Sequence, residues 1–501
     1  MLLSELVAVS DAVSSTRSRL EKVNALAEML RRLTPEEAPV AVSYLSGKPM
    51  QSPLGVGSST VYGTDSEAAS QPTLEVLDVD GRLEEIAATS GPGSKTRKEA
   101  LLRDLLGRAT VAEQSFLRGL MLRNLRQGAL EGVMAEAVAT ALDVPAERVR
   151  RAAMLEGDLV AVASRALAEG PATLQGSALS MFTAVQPMLA KTAETAGEAV
   201  SSLGTAIVEW KLDGARVQVH REGDRVAVFT RNLREVTSGL HEVVSVARAL
   251  EASSFILDGE TLVMGPAGSP AVFQESMSRF GAEDVEDRPD LTVFFFDCLH
   301  LDGTDLIDEP LADRRKALAD LVPEAARVGS IVTSEPDDAD RFFDDAVARG
   351  FEGVVVKDPA QPYEAGRRGS GWLKVKPTHT LDLVVLAAEW GSGRREGWLS
   401  NLHLGARADD GFVMLGKTFK GLTDEMLAWQ TERFLEIEEG RQGHVVFLEP
   451  EIVYEIAFDG VQRSTRYPGG VALRFARVKR YRDDKDPEDA DTLETVRSFL
   501  R

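Results

Sequence analysis

The sequence predicts a multidomain chain: an all-α part over residues 1–175, an α+β part with antiparallel sheets over 176–378, and a small β-barrel over 379–501. Three observations carry this. At 501 residues the chain exceeds what one hydrophobic core supports. Apolar residues in the first third keep helical spacing, as Leu26, Leu30 and Leu33 do. From about residue 206 the pattern changes to short alternating runs.

In the first part, Thr34-Pro35-Glu36-Glu37 opens a helix with a capping box and a proline in its first turn. Thr110-Val111-Ala112-Glu113 repeats the box ahead of one long amphipathic run over 114–142. Residues 47–75, rich in Gly, Ser and Pro, are expected to form a loop or short strands. Gly91-Pro92-Gly93-Ser94 is a second break, before a Lys- and Arg-bearing helix. Small residues over about 165–205 read as a linker or the approach to a new domain. Alternating runs at 217–220, 226–230, 255–264, 293–301 and 353–357 then give antiparallel sheets. Shorter ones at 383–388, 402–406, 413–417, 445–447 and 453–458, separated by glycine turns, give the barrel.

Composition is that of an ordinary globular chain, 44% hydrophobic and 27% charged. The first residues lack the basic, apolar, small-residue succession of a signal peptide, and no apolar run approaches a membrane span, so cytoplasm is the expected compartment and a membrane is not an expected partner. The single cysteine, Cys298, excludes a disulfide framework and any multi-cysteine zinc site within one chain, and it is expected in a buried strand. A net charge of −22 is unusual for a protein that handles nucleic acid. The cations are nevertheless clustered: residues 367–376 hold four and 474–482 hold five, with no acid in either stretch.

The most informative stretch is Ala206-Ile207-Val208-Glu209-Trp210-Lys211-Leu212-Asp213-Gly214. An apolar run ends on Lys211, a turn passes through Asp213-Gly214, and an alternating strand leads away. A buried ammonium must be paired or give up its proton, and a nucleophilic amine beside a phosphate is one role that fits. Alone, the tetrapeptide equally describes a surface hairpin. Further segments follow it in order: Phe229-Thr230-Arg231-Asn232, Ile256-Leu257-Asp258-Gly259-Glu260, Phe294-Phe295-Phe296-Asp297, Phe351-Glu352-Gly353-Val354-Val355-Val356-Lys357, Gly371-Trp372-Leu373-Lys374-Val375-Lys376, and Arg474 to Arg482-Asp483-Asp484-Lys485. With Val185-Gln186-Pro187-Met188-Leu189-Ala190 ahead of them, the set resembles the core of the ATP-dependent DNA ligases over about 185–490. Leu122-Arg123-Asn124-Leu125-Arg126-Gln127-Gly128-Ala129 and neighbouring segments resemble the DNA-binding domain of the three-domain type.

That resemblance implies a helical DNA-binding domain, an adenylation (nucleotidyltransferase) domain and an OB-fold domain. It implies sealing of nicks in duplex DNA through AMP, from ATP, carried covalently on Lys211. Attack requires a neutral amine, whereas a free lysine keeps its proton to about pH 10.4. Arg216, Lys374, Lys376 and a bound metal are the neighbours expected to favour the neutral form. Glu209 would read the adenine amino group, Phe296 would stack on the base, and Arg216 and Arg231 would hold ribose and phosphate oxygens. Lys374 and Lys376 would contact the α-phosphate, with Asp213, Gly214 and Lys357 completing the nucleotide site. Glu260 and Glu352 would bind Mg²⁺. Arg482 and Lys485 would approach the departing pyrophosphate, Glu260 also facing the nucleotide. Arg126, Gln127, Gly128 and Ala129 are the candidates for DNA contact. Nicked duplex DNA is the implied partner, encircled by a monomer; a sliding clamp is a further possible partner for which no clear peptide motif is present. RNA ligases and mRNA-capping enzymes share the lysine segment, and a non-catalytic nick-binding protein is the alternative of another class. NAD-dependent ligases are disfavoured because one cysteine cannot build their zinc module.

Overall fold

The computed structural model describes residues 1–51, 53–125, 131–175, 178–265, 268–271, 290–364 and 368–500. Its first part is helical, running from Leu3–Ser15 and Arg19–Leu30 to Ala146–Glu156 and Leu159–Glu169. One core, including Leu3, Leu26, Leu30, Tyr44, Leu102 and Leu117, joins these helices. The Thr110 capping box is present, and Glu37 closes the second one by accepting from the Thr34 N–H at 3.1 Å. Among the described residues, no helix is long and apolar enough to cross a membrane.

Two expectations for this part need correction, and a third is narrowed. The run over 114–142 is broken, because Val111–Met121 ends where Arg123 takes a left-handed φ of 52° and the Asn124 N–H returns to the Gly119 carbonyl. Residues 47–75 are loop around a short helix, Ser58–Gly63, and the alternative of short strands is not met among the described residues. The small residues of 165–205 are not a linker. They build the strand β1 (Leu189–Thr192) and the helix Ala196–Leu203. Smallness is needed there because a Cβ on Gly197 would lie 2.6 Å from Asp340 Oδ2, and Asp340 accepts from the Gly197 N–H at 2.8 Å.

The middle part is two five-stranded sheets. Strands β2 (Ala206–Lys211), β8 (Ser330–Thr333), β9 (Gly353–Lys357) and β10 (Arg368–Val375) form the first with β1, in the order β1-β10-β9-β2-β8. Only the β1–β10 pair in it is parallel. Strands β3 (Ala215–Glu222), β4 (Arg225–Thr230), β5 (Ser254–Val263), β6 (Leu291–Leu301) and β7 (Thr304–Asp305) form the second, fully antiparallel, in the order β4-β3-β5-β6-β7. The turn after Lys211 therefore carries the chain from one sheet to the other, and a cleft opens between them. Two glycines keep the cleft walls close. A Cβ on Gly214 would lie 2.4 Å from the Thr261 carbonyl oxygen, and one on Gly353 (φ +139°) would lie 2.1 Å from that of Val375.

The segment leading into β1 is tied to the second sheet by a neutral histidine. His220 is buried and pushed down to about 3 by burial and, less, by His300. Its Nδ1 accepts from the Phe182 N–H at 3.1 Å, so Nε2 carries the proton and donates to Gln218 Oε1 at 2.9 Å. Gln218 Oε1 also accepts from the Val185 N–H at 2.7 Å.

In the last part, strand β11 (His379–Trp390) pairs along one edge with β12 (Leu399–Ala408). Its other edge is divided between β13 (Val445–Leu448) and β14 (Val453–Phe458), which curls the sheet toward the expected OB-fold barrel. A helix, Asp424–Glu436, is not among the sequence expectations; it buries Leu427 and Phe434 in this core.

In the middle part, the helix Leu311–Leu321 is fastened through Arg314, fully buried with Asp297. Arg314 donates to both Asp297 oxygens at 2.7 and 3.0 Å and to the Glu309 and Gln361 carbonyls. Breaking such a pair strands a buried charge, at a cost of about 3–5 kcal/mol. Arg314→Ala is expected to destabilise the middle part by about that amount. Denaturant unfolding followed through Trp210 and Trp372 checks it, and an unchanged midpoint would contradict it.

Candidate active site

The cleft holds a cavity of about 250 Å³. Its walls come from both sheets: Glu209 and Lys211 on β2, Arg216 on β3, Glu260 on β5, Phe296 on β6, Lys357 on β9, and Trp372 and Lys374 on β10. Met188, Leu189, Ala190, Gly214 and the exposed Arg231 complete it. Residues far apart in sequence meet here because β2 lies beside β9, with Lys211 opposite Gly353 and Glu209 opposite Val355.

Lys211 ends its strand on an anion. Its ammonium pairs with Glu352 Oε2, while Lys376 pairs with Glu352 Oε1. The Glu352 N–H also donates to the Lys211 carbonyl at 2.9 Å. Burial pushes the Glu352 carboxyl upward, but Lys211 and Lys376 outweigh it and hold the group below its ordinary range. Burial likewise acts against charge on Lys376, and Glu352 outweighs it, raising that lysine. The sequence reading surrounded the nucleophile with cations; its immediate partner is a carboxylate.

Glu209, two residues before Lys211 on β2 and also on the cavity wall, is only 3% exposed and holds two cations. Lys357 faces Oε2 as an ion pair outside hydrogen-bond alignment, and Arg315 Nη1 donates to Oε1 at 3.2 Å. Burial lowers Lys357, against the pull of Glu209 and Asp297. The Lys357 ammonium also lies 4.6 Å from the Phe296 ring centre and 4.1 Å from that of Trp372.

Arg216 is more committed than expected. Its guanidinium donates to Asp258 at 3.0 and 2.5 Å, to the Met188 carbonyl at 2.6 Å and to Tyr363 Oη at 3.0 Å. Four of its five N–H groups are thereby engaged. Tyr363 Oη donates to Asp258 Oδ2 at 2.6 Å and accepts from the Met188 N–H at 3.1 Å. Asp258, Tyr363 and Arg315 were missed as site residues. A carboxylate inside the apolar stretch Ile256-Leu257-Asp258 did signal a buried cation; nothing local signals Tyr363.

Some expected residues lie elsewhere in this conformation. Asp213 does not line the cavity; it accepts from Arg474 at 2.8 and 3.4 Å across the junction with the last part. Lys376 is also outside the lining and reaches Asp459 at 3.3 Å. Arg482 donates to Asp382 at 2.8 and 2.9 Å and to Asp484, and Lys485 reaches Asp382 at 2.6 Å, so both are held within the last part. The last part instead meets the middle part through Arg474, paired with Asp213, and the exposed Phe475, whose ring centre lies 5.6 Å from the Lys376 ammonium. Arg126, Gln127, Gly128 and Ala129 lie outside the described residues.

Glu260 accepts from the Gly214 N–H at 3.2 Å, and burial raises its carboxyl to about 7 against the opposing pull of Lys211 and Arg216. Glu352 is near enough to reinforce that rise. Among the described residues no three His, Cys, Asp or Glu gather as a metal cage. Glu260 lines the cavity, whereas Glu352 lies outside its lining, against Lys211; carboxylates so placed fit Mg²⁺, which commonly binds through one or two of them together with substrate phosphates.

Family models match three stretches: "DNA ligase N terminus" over residues 59–139, "ATP dependent DNA ligase domain" over 187–376 and "ATP dependent DNA ligase C terminal region" over 395–485. A protein of Mycolicibacterium gilvum (strain PYR-GCK) named "Probable DNA ligase" is 54% identical, covering 100% of this chain and 99% of its own. A protein of the same name from Anaeromyxobacter sp. (strain Fw109-5) is also 54% identical, covering 100% and 98%. The solved structure "Pmar-Lig_Pre." aligns with a TM-score of 0.65 at 19% identity over 95% of this chain and 99% of that one, which shows a shared fold.

The carboxyl of Glu260 ordinarily ionises near 4.5 and here near 7. Between those values the unfolded chain sheds its proton first, so the apoprotein loses stability as pH rises through that window. Glu260→Gln removes this part of the slope. Denaturant unfolding of both proteins at pH 5 and pH 8 checks it, and parallel pH profiles would contradict it.

Proposed function

The chain belongs to the ATP-dependent DNA ligase family, and from that premise we propose that Lys211 is the nucleophile which takes AMP from ATP and passes it to the 5′-phosphate of a nick in duplex DNA. The observation that supports this best is the position of its ammonium. It stands on the wall of the cavity of about 250 Å³, which it lines together with an acid and an aromatic ring, Glu209 and Phe296. Glu209 accepts from the adenine amino group and Phe296 stacks on the ring.

For attack, Nζ must lose a proton, and Glu352 is the base in contact with it. The Lys211 nitrogen then bonds the α-phosphorus as the bond to pyrophosphate breaks. Lys374 meets the negative charge that builds on the α-phosphate. Lys376 must release Glu352 or Asp459 to join it. The phosphoramide formed on Lys211 gives AMP to the 5′-phosphate, and the 3′-hydroxyl of the nick displaces AMP to close the strand. Positioning and electrostatics supply most of the rate, as in phosphoryl transfer generally. Glu260 would hold Mg²⁺, with Glu352 before it takes the Lys211 proton, and the ion would neutralise phosphate charge.

Arg216, fastened by Asp258 and Tyr363, positions the Met188 backbone along the cavity rather than serving chiefly as a phosphate ligand. Arg482 and Lys485 serve the pyrophosphate only if the last part turns, since Asp382 holds them in this conformation. We place the protein in the cytoplasm as a monomer around duplex DNA, its helical part providing contacts on the minor-groove side.

ATP labelled at the α-phosphate is expected to label the protein and then nicked DNA, with no label on Lys211→Ala. Labelling from GTP in place of ATP would favour a capping activity, and transfer to nicked RNA alone would favour an RNA ligase. Affinity for nicked duplex is expected to fall as salt rises despite the net charge of −22, because the contacts are to phosphates. Titrations at several salt concentrations check this, and a flat response would contradict it.

A further inference from the structure

Arg315 lies outside all the segments that carry the family resemblance, yet it touches the residue assigned to reading the base. It sits on the helix Leu311–Leu321, next to the buried Arg314 that fixes this helix to Asp297. Asp297 directly follows Phe296 on β6, so the same anchor sets the helix against the strand that carries the stacking ring. From there Arg315 Nη1 reaches Glu209 Oε1 at 3.2 Å and Nη2 reaches Ser330 Oγ at 2.9 Å. Ser330 is the register partner of Glu209 on β8, so the planar guanidinium spans two adjacent strands at the level of the acid. Arg315 also lines a second cavity of about 330 Å³, which shares Glu209 with the first.

We propose that Arg315 is a specificity-determining positioning residue: with Lys357 on the other oxygen, it locks the Glu209 carboxylate in one orientation as a group that only accepts hydrogen bonds. This rests on the reading that Glu209 contacts the purine 6-position. A carboxylate with a cation on each oxygen has lone pairs to offer and no proton. Adenine presents a donor, the 6-amino group, and is accepted. A 6-oxo purine presents an acceptor there, so two acceptors would be buried against each other without a proton between them. Without Arg315, Oε1 loses its tether and the carboxylate can turn toward the second cavity. The preference for the amino group then weakens even though Glu209 remains.

The test compares self-adenylation by ATP with self-inosinylation by inosine triphosphate, which differs at the 6-position and in the adjoining ring proton, for the full-length wild type, Arg315→Ala, Arg315→Lys and Glu209→Gln. The kcat/KM ratio of ATP to inosine triphosphate is expected to fall roughly ten- to hundredfold in Arg315→Ala, mainly through KM for ATP. It should fall less in Arg315→Lys, whose point charge cannot span Glu209 and Ser330 together. Millimolar guanidinium, which fits the second cavity, should restore the ratio in Arg315→Ala and leave Glu209→Gln unchanged. If Arg315→Ala folds poorly, Ser330→Ala carries the test, with a smaller fall in the same ratio expected. A ratio that collapses in Glu209→Gln but keeps its wild-type value in the Arg315 and Ser330 variants overturns the role of Arg315 and leaves the base contact standing. A wild-type ratio in Glu209→Gln overturns the base contact, and this proposal with it.

Discussion

Glu352, holding Lys211 with one carboxylate oxygen and Lys376 with the other, is the contact around which the rest of the site is arranged. All three groups lie in the cleft, where a lone charge would be costly, and each makes the others tolerable. Neither lysine can act freely while the pairs persist. In the proposed reaction an incoming triphosphate would compete for both ammonium groups, and a proton leaving Lys211 would find Glu352 already in contact. The arrangement therefore holds the amine ordered against Glu352. That order depends on backbone placement: β2 lies beside β9, and Gly353 admits the Val375 carbonyl where no side chain would fit.

A second layer of buried charge pairs holds the cavity open. Arg216 with Asp258 and Tyr363, Arg314 with Asp297, and Arg315 and Lys357 with Glu209 each tie one element to another. None is a surface salt bridge of negligible worth. Their common effect is to fix the spacing between the two sheets, which an apolar core alone would leave free to slide. The last part is fastened differently, by Arg474 to Asp213 and Lys376 to Asp459 at the mouth of the cleft. These pairs are more accessible than those inside, which fits the proposal that the last part turns while the middle part stays rigid.

Much of this was legible in the sequence, for identifiable reasons. Helical spacing and capping boxes marked the first part, and alternation marked both β-rich parts. Lys211, Glu260, Glu352 and Lys374 stood out because charge beside an apolar run needs an explanation, although of the two acids expected at strand ends Glu260 lies inside β5 and Glu352 precedes β9. What escaped depends on long-range geometry. Tyr363 sits in a loop whose composition says nothing of Asp258 or Met188. Arg315 reads as the exposed side of an amphipathic helix until β8 and β2 are seen beside it. The small residues near 196 resembled a linker because the sequence does not show the helix Pro336–Ala348 that packs against them. The positions of Arg482 and Lys485 depend on domain orientation, which local pattern cannot encode.

The central claim is that one amine carries the nucleotide as a phosphoramide, and peptide mapping by mass spectrometry after incubation with ATP and magnesium tests it most directly. A single adenylyl group, labile to acid, is expected on the peptide containing Lys211. An adenylyl group on any other side chain, or strand joining by a protein with Arg at position 211, would contradict it.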